Sequence, residues 1–226
     1  MSEPPGGAFT VLTHPNMKLE ELEALLTRFG VVYKYWGSTK NARKNTTNLL
    51  TEITHGESVL CVNAAGTLVR ITHVVCVIVN YFTPEGKQLH LIEDRQVSKL
   101  QIDENGNPTV WQRGFHFIAE KISMDESAGY LENGRPTFLA VRKAVEEELQ
   151  IKDLHEQSWR YLTTEHIPMN TSASYAGLQT IVVNYLCSVV ISHQSFRQDG
   201  YIESGRDKDT IFTWMPGPAP DDKYDA

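Results

Sequence analysis

The sequence predicts an α+β fold, because apolar residues occur with helical spacing in some stretches and with strand-type spacing in others. Helical spacing is found in residues 17–30, 46–55 and 137–151. β-Branched and apolar residues without helical spacing are concentrated in residues 58–79, and strand patterns continue on both sides of the third helix. A chain of 226 residues is long enough to bury one large core.

The first two helices are predicted to form an N-terminal extension over residues 17–57. Both carry apolar residues at three- and four-residue spacing, and each ends at a glycine, Gly30 or Gly56. Short amphipathic helices cannot bury their apolar sides alone, so we expect them to pack against the rest of the protein or another subunit. The Pro- and Gly-rich residues 1–16 are expected to form a mobile arm, and residues 217–226 a disordered tail.

A meander of strands is expected between residues 58 and 122. Turn signals at residues 83–86 and 103–108 separate its strands, the last of which covers residues 111–122. After the third helix, residues 180–190 and 210–214 are dense in strand-forming side chains. Together these elements predict one main domain over residues 58–216.

Charge and cysteine content restrict the class of protein. Twenty-eight acidic and 21 basic residues give a net charge of −7, so nucleic acid would be repelled over most of the surface and no nucleic-acid partner is expected. Three widely separated cysteines without a C-x-x-C pair favour a reducing compartment. The sequence has no signal-peptide pattern and no apolar run of membrane-spanning length, so we expect a cytoplasmic protein without a membrane partner.

The third helix carries the residues that are best suited to chemistry. An acidic run at residues 146–148 follows a basic pair at residues 142–143, and a loop with Gly129 and Gly134 leads into the helix. Taken alone, such an acidic run is more often a solvated helix face than a site. Patterns for dinucleotide-binding folds and P-loops are missing from the sequence, and its eight histidines lack zinc-site spacing.

The loop and helix together resemble the Nudix box, G-x5-E-x7-R-E-U-x-E-E-x-G-U, in which U is aliphatic. The matching positions are the first glycine, the basic residue, the two aliphatic residues and the glutamate pair, here Gly129, Lys143, Val145, Ile151, Glu147 and Glu148. The sequence LHLIEDRQV is similar to the strand before the box in this superfamily. Residues 174–180 resemble an S-Y-x-G-L-x-T segment of a divergent branch.

This resemblance implies a Nudix-type α/β/α sandwich with a mixed sheet over about residues 66–216. It also implies hydrolysis of a small diphosphate-linked compound, a nucleotide or a related molecule, with Mg²⁺ or Mn²⁺ as cofactor. Glu147 and Glu148 are implied to hold the metal and to act in catalysis. The expected partner is the small-molecule substrate, and a homodimer is left open.

The box is degenerate, and its departures keep two other functions open. Arg135 and Ala144 stand where the box has glutamates, and Gln150 stands where it has glycine. A catalytically impaired binding or partner protein is one alternative, and a Nudix-fold enzyme with non-hydrolytic chemistry is the other. A glutamate at position 144 is expected to add a third carboxylate beside Glu147 and Glu148, because these residues lie one helical turn away.

Since Ala144 lacks a carboxylate, the general base must come from another position. The candidates precede, lie within or follow the loop: Glu120, Glu126, Glu132 and Glu203. Each of them is also explained as an ordinary surface charge. Glu203 is assigned to the catalytic set, because a glutamate in a loop after the box sometimes serves this superfamily.

Three residues are assigned to substrate binding: Arg95, Glu120 and Lys143. The guanidinium of Arg95 offers forked donors that suit a phosphate. A surface ion pair with Glu93 or Asp94 is an equally good interpretation of this arginine.

Overall fold

The computed structural model describes residues 9–37, 44–169, 172 and 174–217. These residues fall into two units. The first unit contains the described parts of Met1–Val74, Lys121–Gly134 and Thr164–Tyr185. The second contains those of Val75–Glu120, Arg135–Thr163 and Leu186–Ala226. The predicted domain boundaries at residues 16, 57 and 216 stay predictions.

Three α-helices occur in the described residues: α1 Leu19–Arg28, α2 Thr46–Thr54 and α3 Phe138–Leu149. The strands of the same residues are β1 Thr10–Val11, β2 Ser58–Val62, β3 Leu68–Phe82, β4 Gln88–Ile102, β5 Pro108–His116, β6 Ile118–Lys121, β7 Leu131–Glu132, β8 Arg135–Pro136, β9 Trp159–Met169, β10 Gln179–Val190, β11 Tyr201–Ser204 and β12 Lys208–Pro216. The longest of these helices, α3, has 12 residues, and none of the three has the length and apolar character that a bilayer crossing requires.

The fold is α+β, as the sequence predicts, and its strands pair mostly antiparallel. Antiparallel pairing joins β1 to β2, β2 to β3, β4 to β5 and β11 to β12. It also joins β12 to β4. The α/β/α layering and the mixed sheet of the Nudix-type sandwich stay predictions.

In the first unit, α1 and α2 bury their apolar sides in a core that they share with β2 and β3. The helices contribute Leu22, Leu26, Leu49 and Ile53, the strands Leu60 and Leu68, and the connecting segments Trp36, Tyr175 and Leu178. The helices therefore pack within this unit, which was one of the two expected arrangements. Gly30 and Gly56 follow the helix ends with φ of 70° and 71°, the left-handed conformation that favours glycine.

Part of the segment expected to be a mobile arm is paired with the rest of the first unit. The short strand β1 lies along β2. The backbone N–H of Leu12 donates to the carbonyl of Leu60 at 2.8 Å, and the N–H of Leu60 donates to the hydroxyl of Thr13 at 3.0 Å. Strand pairing uses backbone groups, so a segment with few large apolar side chains can still be fixed in this way. Residues 1–8 of the expected arm and 218–226 of the expected tail lie outside the described residues.

A buried ion cluster connects α2 to the strands of the first unit. Glu52 of α2 is 4% exposed, and its Oε2 accepts hydrogen bonds from Arg70 at 2.7 Å and Ser58 at 2.9 Å. Its Oε1 accepts from Lys44 at 2.7 Å and from Lys121. Burial acts to raise the pKa of Glu52, but the charges of Arg70 and Lys121 outweigh it and hold the pKa well below its usual range.

The second unit is built around the long strand β4. The first residues of β4 pair with the end of β3. Most of β4 also pairs with β12, and its second half pairs with β5. β12 continues to β11, where Gly200 precedes the first residue of the strand with φ of 78°. A Cβ at Gly200 would lie 2.0 Å from the carbonyl oxygen of Phe212, so glycine is required for this close approach.

We expect Glu52→Ala to destabilise the protein by about 3–5 kcal/mol, because it leaves the buried Arg70 without its carboxylate partner. Chemical unfolding monitored by circular dichroism measures this change. Glu104→Ala, at an exposed turn position, is the control and should change the free energy of unfolding by no more than about 0.5 kcal/mol. Equal effects of the two substitutions would contradict a stabilising role for the cluster.

Candidate functional site

The helix α3 presents one buried and one partly exposed side to its surroundings. Its buried residues are Ala140, Val141, Ala144, Val145 and Leu149. Glu148 lies beside this stripe and is half-buried, whereas Glu147 is exposed. Adjacent helical residues point in different directions, so the two glutamates of the pair occupy different environments.

A hydrogen bond links the carboxyl groups of Glu148 on α3 and Glu203 on β11. Burial, followed by the charge and hydrogen bond of Glu203, raises the pKa of Glu148 to about 8. The carboxylates of Glu120 and Glu93 add to this increase. Two carboxyl groups this close cannot both ionise easily, so the pair retains a proton at neutral pH in the absence of a cation.

Basic side chains lie among these glutamates. The Nζ of Lys143 donates to Glu120 Oε1 at 2.8 Å and lies 3.5 Å from Glu147 Oε2. The Nε of Arg113 donates to Glu93 Oε1 at 3.1 Å. The site therefore combines an acidic centre with cationic groups, an arrangement that suits a ligand with both phosphate groups and an associated cation.

Lys208 on β12 also belongs to this set. Burial lowers its pKa, and the carboxylates of Glu93 and Glu203 act in the opposite direction. Its side chain thus shares the electrostatic environment of the paired glutamates. Sequence reasoning did not select Lys208, because only the pairing of β12 with β4 brings it there.

A bulge in β4 sets the position of Glu93. The register against β12 shifts by one residue between Glu93 and Arg95, so Asp94 is the extra residue. After the bulge, Gln96 lies beside Glu93 and donates to Glu93 Oε1 at 2.6 Å. The sequence alone marks Glu93 only as a possible partner of Arg95 and as a charged residue within a largely apolar strand.

The structure brings together most of the residues that the sequence singled out. Lys143 contacts Glu120 and Glu147, and Glu148 contacts Glu203. The contact shown for Arg95 is an ion pair with Asp94, which is one of the two interpretations left open. The other base candidates, Glu126 and Glu132, are exposed residues of the first unit. The catalytic and substrate-binding roles of all these residues stay predictions.

The donor set was tested for its fit to a divalent metal ion. No group of three or more His, Cys, Asp or Glu side chains in the described residues is arranged to hold a metal. Mg²⁺ requires less than this, because it is often held by one or two carboxylates together with water and substrate phosphates. Glu148 and Glu203 meet that requirement, and a cation between them would relieve the repulsion that raises the pKa of Glu148.

The expectation for position 144 stays a prediction, but burial makes a glutamate there costly. Ala144 is 0% exposed and belongs to the buried stripe of α3 with Val141 and Val145. Helical spacing places it one turn from Glu148. A glutamate there would have to bury its carboxylate or displace the residues that cover Ala144.

Position 150, where the box has glycine, has a backbone conformation that favours glycine. Gln150 is the C-cap of α3 and has φ of 60°, and its N–H donates to the carbonyl of Glu146 at 2.9 Å. Glycine is the residue that adopts this left-handed conformation without strain. The glycine of the pattern therefore falls where the backbone favours glycine, although this chain has glutamine.

The sequence and the structure were compared with known proteins. No family model matches the sequence, and no curated protein matches it. A MutT/nudix family protein from Enterococcus faecalis is similar in structure, with 12% identity and a TM-score of 0.35 over 64% of this chain and 43% of the other. This chain therefore spans less than half of that protein's length.

Two further solved structures are similar to the chain. The NUDIX domain of Shewanella oneidensis NrtR, in complex with ADP ribose, has 13% identity and a TM-score of 0.34 over 64% of this chain and 71% of the other. MERS1 from T. brucei, in complex with RNA, has 12% identity and a TM-score of 0.36 over 95% of this chain and 87% of the other. All three TM-scores lie below 0.5 at 12% or 13% identity, which is too low to assign this chain to a family.

Without added divalent metal, we expect the wild type to lose stability relative to Glu148→Gln as the pH rises from 5 to 9. The pKa of Glu148 is about 8 in the folded state, whereas the ordinary pKa of a glutamate side chain is 4.5. Its stabilising proton is fully bound below pH 4.5 and is lost as the pH passes 8, so the difference should reach at least about 1 kcal/mol.

Urea unfolding at pH 5, 7 and 9 measures this change. Glu146→Gln, on the same helix, is the matched control and should keep the pH dependence of the wild type. Parallel stability curves for the wild type and Glu148→Gln would contradict the raised pKa.

We expect Ala144→Glu to reduce the free energy of unfolding by on the order of 3 kcal/mol, because it buries an unpaired carboxylate. Thermal unfolding at pH 7 measures the loss. Leu139→Glu, at a position of α3 that is 40% exposed, introduces the same side chain and should cost about 1 kcal/mol or less. A stable Ala144→Glu protein with tighter Mg²⁺ binding would show that this position does face the acidic cluster.

Proposed function

We propose that this protein is a Nudix-like hydrolase that acts on a small diphosphate-linked compound, a nucleotide or a related molecule. The observation that carries the proposal is the hydrogen-bonded pair of Glu148 and Glu203, in which burial and like charge raise the pKa of Glu148 to about 8. Strongly perturbed carboxyl groups in a polar cluster are typical of catalytic sites. Ordinary surface glutamates do not experience such an environment.

We assign Glu148 and Glu203 as ligands of Mg²⁺ or Mn²⁺, with Glu147 as a further carboxylate at the exposed side of α3. A bound divalent ion would supply charge neutralisation on the phosphates of the substrate. The two paired carboxyl groups come from α3 and from β11, so secondary structure on both sides supports their positions.

Glu203 is the residue that we assign as general base. It reaches Glu148 from β11, and a bound cation would displace the proton that the pair holds, so the oxygen of Glu203 that does not bind the cation could accept a proton from water. This assignment supplies the proton acceptor that the buried Ala144 cannot provide.

Basic groups beside the glutamates are proposed to bind the phosphates. Lys143 is held by Glu120, and Lys208 and Arg113 lie near Glu93. Their charges reduce the repulsion that a diphosphate would meet in an acidic site. Arg95 is proposed as a more distant phosphate contact that must first exchange its partner Asp94.

A binding protein without hydrolysis is the second candidate, and a specific contact favours it. Lys143 lies between Glu120 and Glu147 and already supplies a positive charge to two of the carboxylates. An ammonium group in this position could replace part of the need for a metal ion. The cytoplasmic location, the absence of nucleic-acid and membrane partners, and the homodimer also stay predictions.

We expect Glu148→Gln and Glu203→Gln to lower metal-dependent hydrolysis by about 100-fold or more, because each removes a proposed ligand or the base. The assay screens nucleoside diphosphate sugars, dinucleotides, nucleoside triphosphates and prenyl diphosphates with Mg²⁺ or Mn²⁺, and follows phosphate or monophosphate release. Glu146→Gln is the control and should retain activity, because Glu146 lies toward Lys152.

Calorimetric titration with Mg²⁺ separates the two candidates. A hydrolase with this site should bind Mg²⁺ in the wild type and lose affinity in both glutamine variants. Silence toward the whole panel, together with equal Mg²⁺ affinity in wild type and variants, would overturn the hydrolase proposal in favour of the binding protein.

A further inference from the structure

The first unit contains a cavity of about 290 Å³ that the proposed hydrolysis does not use. Its walls come mainly from β3, β9 and β10. Side chains two positions apart in a strand point to the same face of a sheet, so Ile71 and His73 line the cavity together. Ile181, Val183 and Tyr185 do the same from β10. Alternate side chains of β3 and β10 therefore form much of the cavity wall.

The cavity is recessed into the sheet and mostly apolar. Val183 and Tyr185 are 7% and 3% exposed, whereas Ile71 and Ile181 are only half-buried, and Phe9 closes one side. Its volume lies at the lower limit of small-molecule pockets, which suits a ligand of one or two fused rings rather than a drug-sized molecule.

A few polar groups interrupt the apolar walls. The Nδ1 of His73 and the hydroxyl oxygen of Tyr185 share a hydrogen bond of 2.9 Å, and their rings are tilted by 51° at a centroid distance of 5.5 Å. His166 and Thr164 line the cavity from β9. Imidazole and hydroxyl groups can both donate and accept hydrogen bonds, so they can bind a polar ring edge.

The lack of acidic and strongly basic side chains among the described lining residues restricts the charge of a ligand that the cavity can bind. Burial, together with the neighbouring His166, lowers the pKa of His73 to about 4, so this imidazole is neutral at physiological pH. The described residues that line the cavity include no Asp, Glu, Lys or Arg. A phosphate or carboxylate would lose its hydration here without gaining an ion pair to a Lys or Arg of the described lining.

We propose that this cavity binds an uncharged, planar heteroaromatic ring. The apolar residues of β3 and β10 contact the faces of the ring, and His73, His166 and Thr164 hydrogen-bond to its polar edge. Recognition by apolar contact and by a few polar groups is the general form of small-molecule sites. The site is separate from the proposed hydrolysis, and its test requires neither metal nor diphosphate.

Indole is the probe for the test, and binding is measured by saturation-transfer NMR and calorimetry on the full chain. We expect a Kd on the order of 1 mM or lower, which is an affinity within reach of a ligand of this size. Indene has the same shape but lacks the N–H group, and should bind at least fivefold more weakly. Indole-3-acetate adds a negative charge and should bind more weakly than indole.

Ile181→Trp fills the cavity and should weaken indole binding at least tenfold. Val32→Trp adds the same side chain at a position of the first unit that is 63% exposed, and should bind indole like the wild type. His73→Phe keeps a ring in the wall but removes its hydrogen-bonding atoms, and should reduce the preference for indole over indene. If Ile181→Trp does not fold, the preference of His73→Phe for indole over indene tests the proposal instead.

Absence of indole binding at millimolar concentration would overturn the proposal, as would equal binding by Ile181→Trp and Val32→Trp. Equal affinities for indole and indene would show a non-selective apolar cavity and would also overturn it. Stronger binding of indole-3-acetate than of indole would contradict the uncharged class of ligand.

Discussion

The burial of the Glu52 carboxylate is the constraint on which the first unit depends. A buried carboxylate is tolerated only if its charge is paired and its oxygens accept hydrogen bonds, and Arg70, Ser58, Lys44 and Lys121 together meet both requirements. These donors come from separate parts of the chain, so satisfying one side chain fixes α2 relative to strands of the same unit. The shared apolar core supplies the larger stabilisation, and the cluster selects one arrangement of it.

Glu148 is a half-buried glutamate, but its neighbours are negatively charged, unlike the cationic neighbours of Glu52. Burial opposes ionisation of both Glu52 and Glu148, but cations outweigh it at Glu52, whereas Glu203 reinforces it at Glu148. The Glu52 site is therefore complete without a ligand. At Glu148, the neighbouring glutamates repel the ionised carboxylate, and a bound cation would reduce this repulsion. This difference is the physical reason for assigning a functional role to Glu148 and a structural role to Glu52.

Local signals in the sequence predict much of the fold. Helix ends at Gly30 and Gly56 are predictable because a single residue type marks the left-handed conformation. The strand β9 escapes prediction because the polar run TTEH interrupts the apolar residues of WRYLTTEHIPM, and β11 has only four residues. The strand expected over residues 111–122 is two strands, β5 and β6, with Phe117 between them buried in the core of the second unit.

The site is less predictable than the fold, because its residues meet through strand register rather than through sequence spacing. The box pattern identifies Glu148 and Lys143, but the environment of Glu93 depends on the bulge at Asp94, and that of Lys208 on the pairing of β12 with β4. Spacing alone also does not reveal the burial of Ala144, since one helical turn separates residues along the axis without fixing how deeply each of them is covered. A degenerate motif can therefore retain a cluster of carboxylates, because the long-range pairing of strands supplies Glu203 and Glu93 where the helix lacks one.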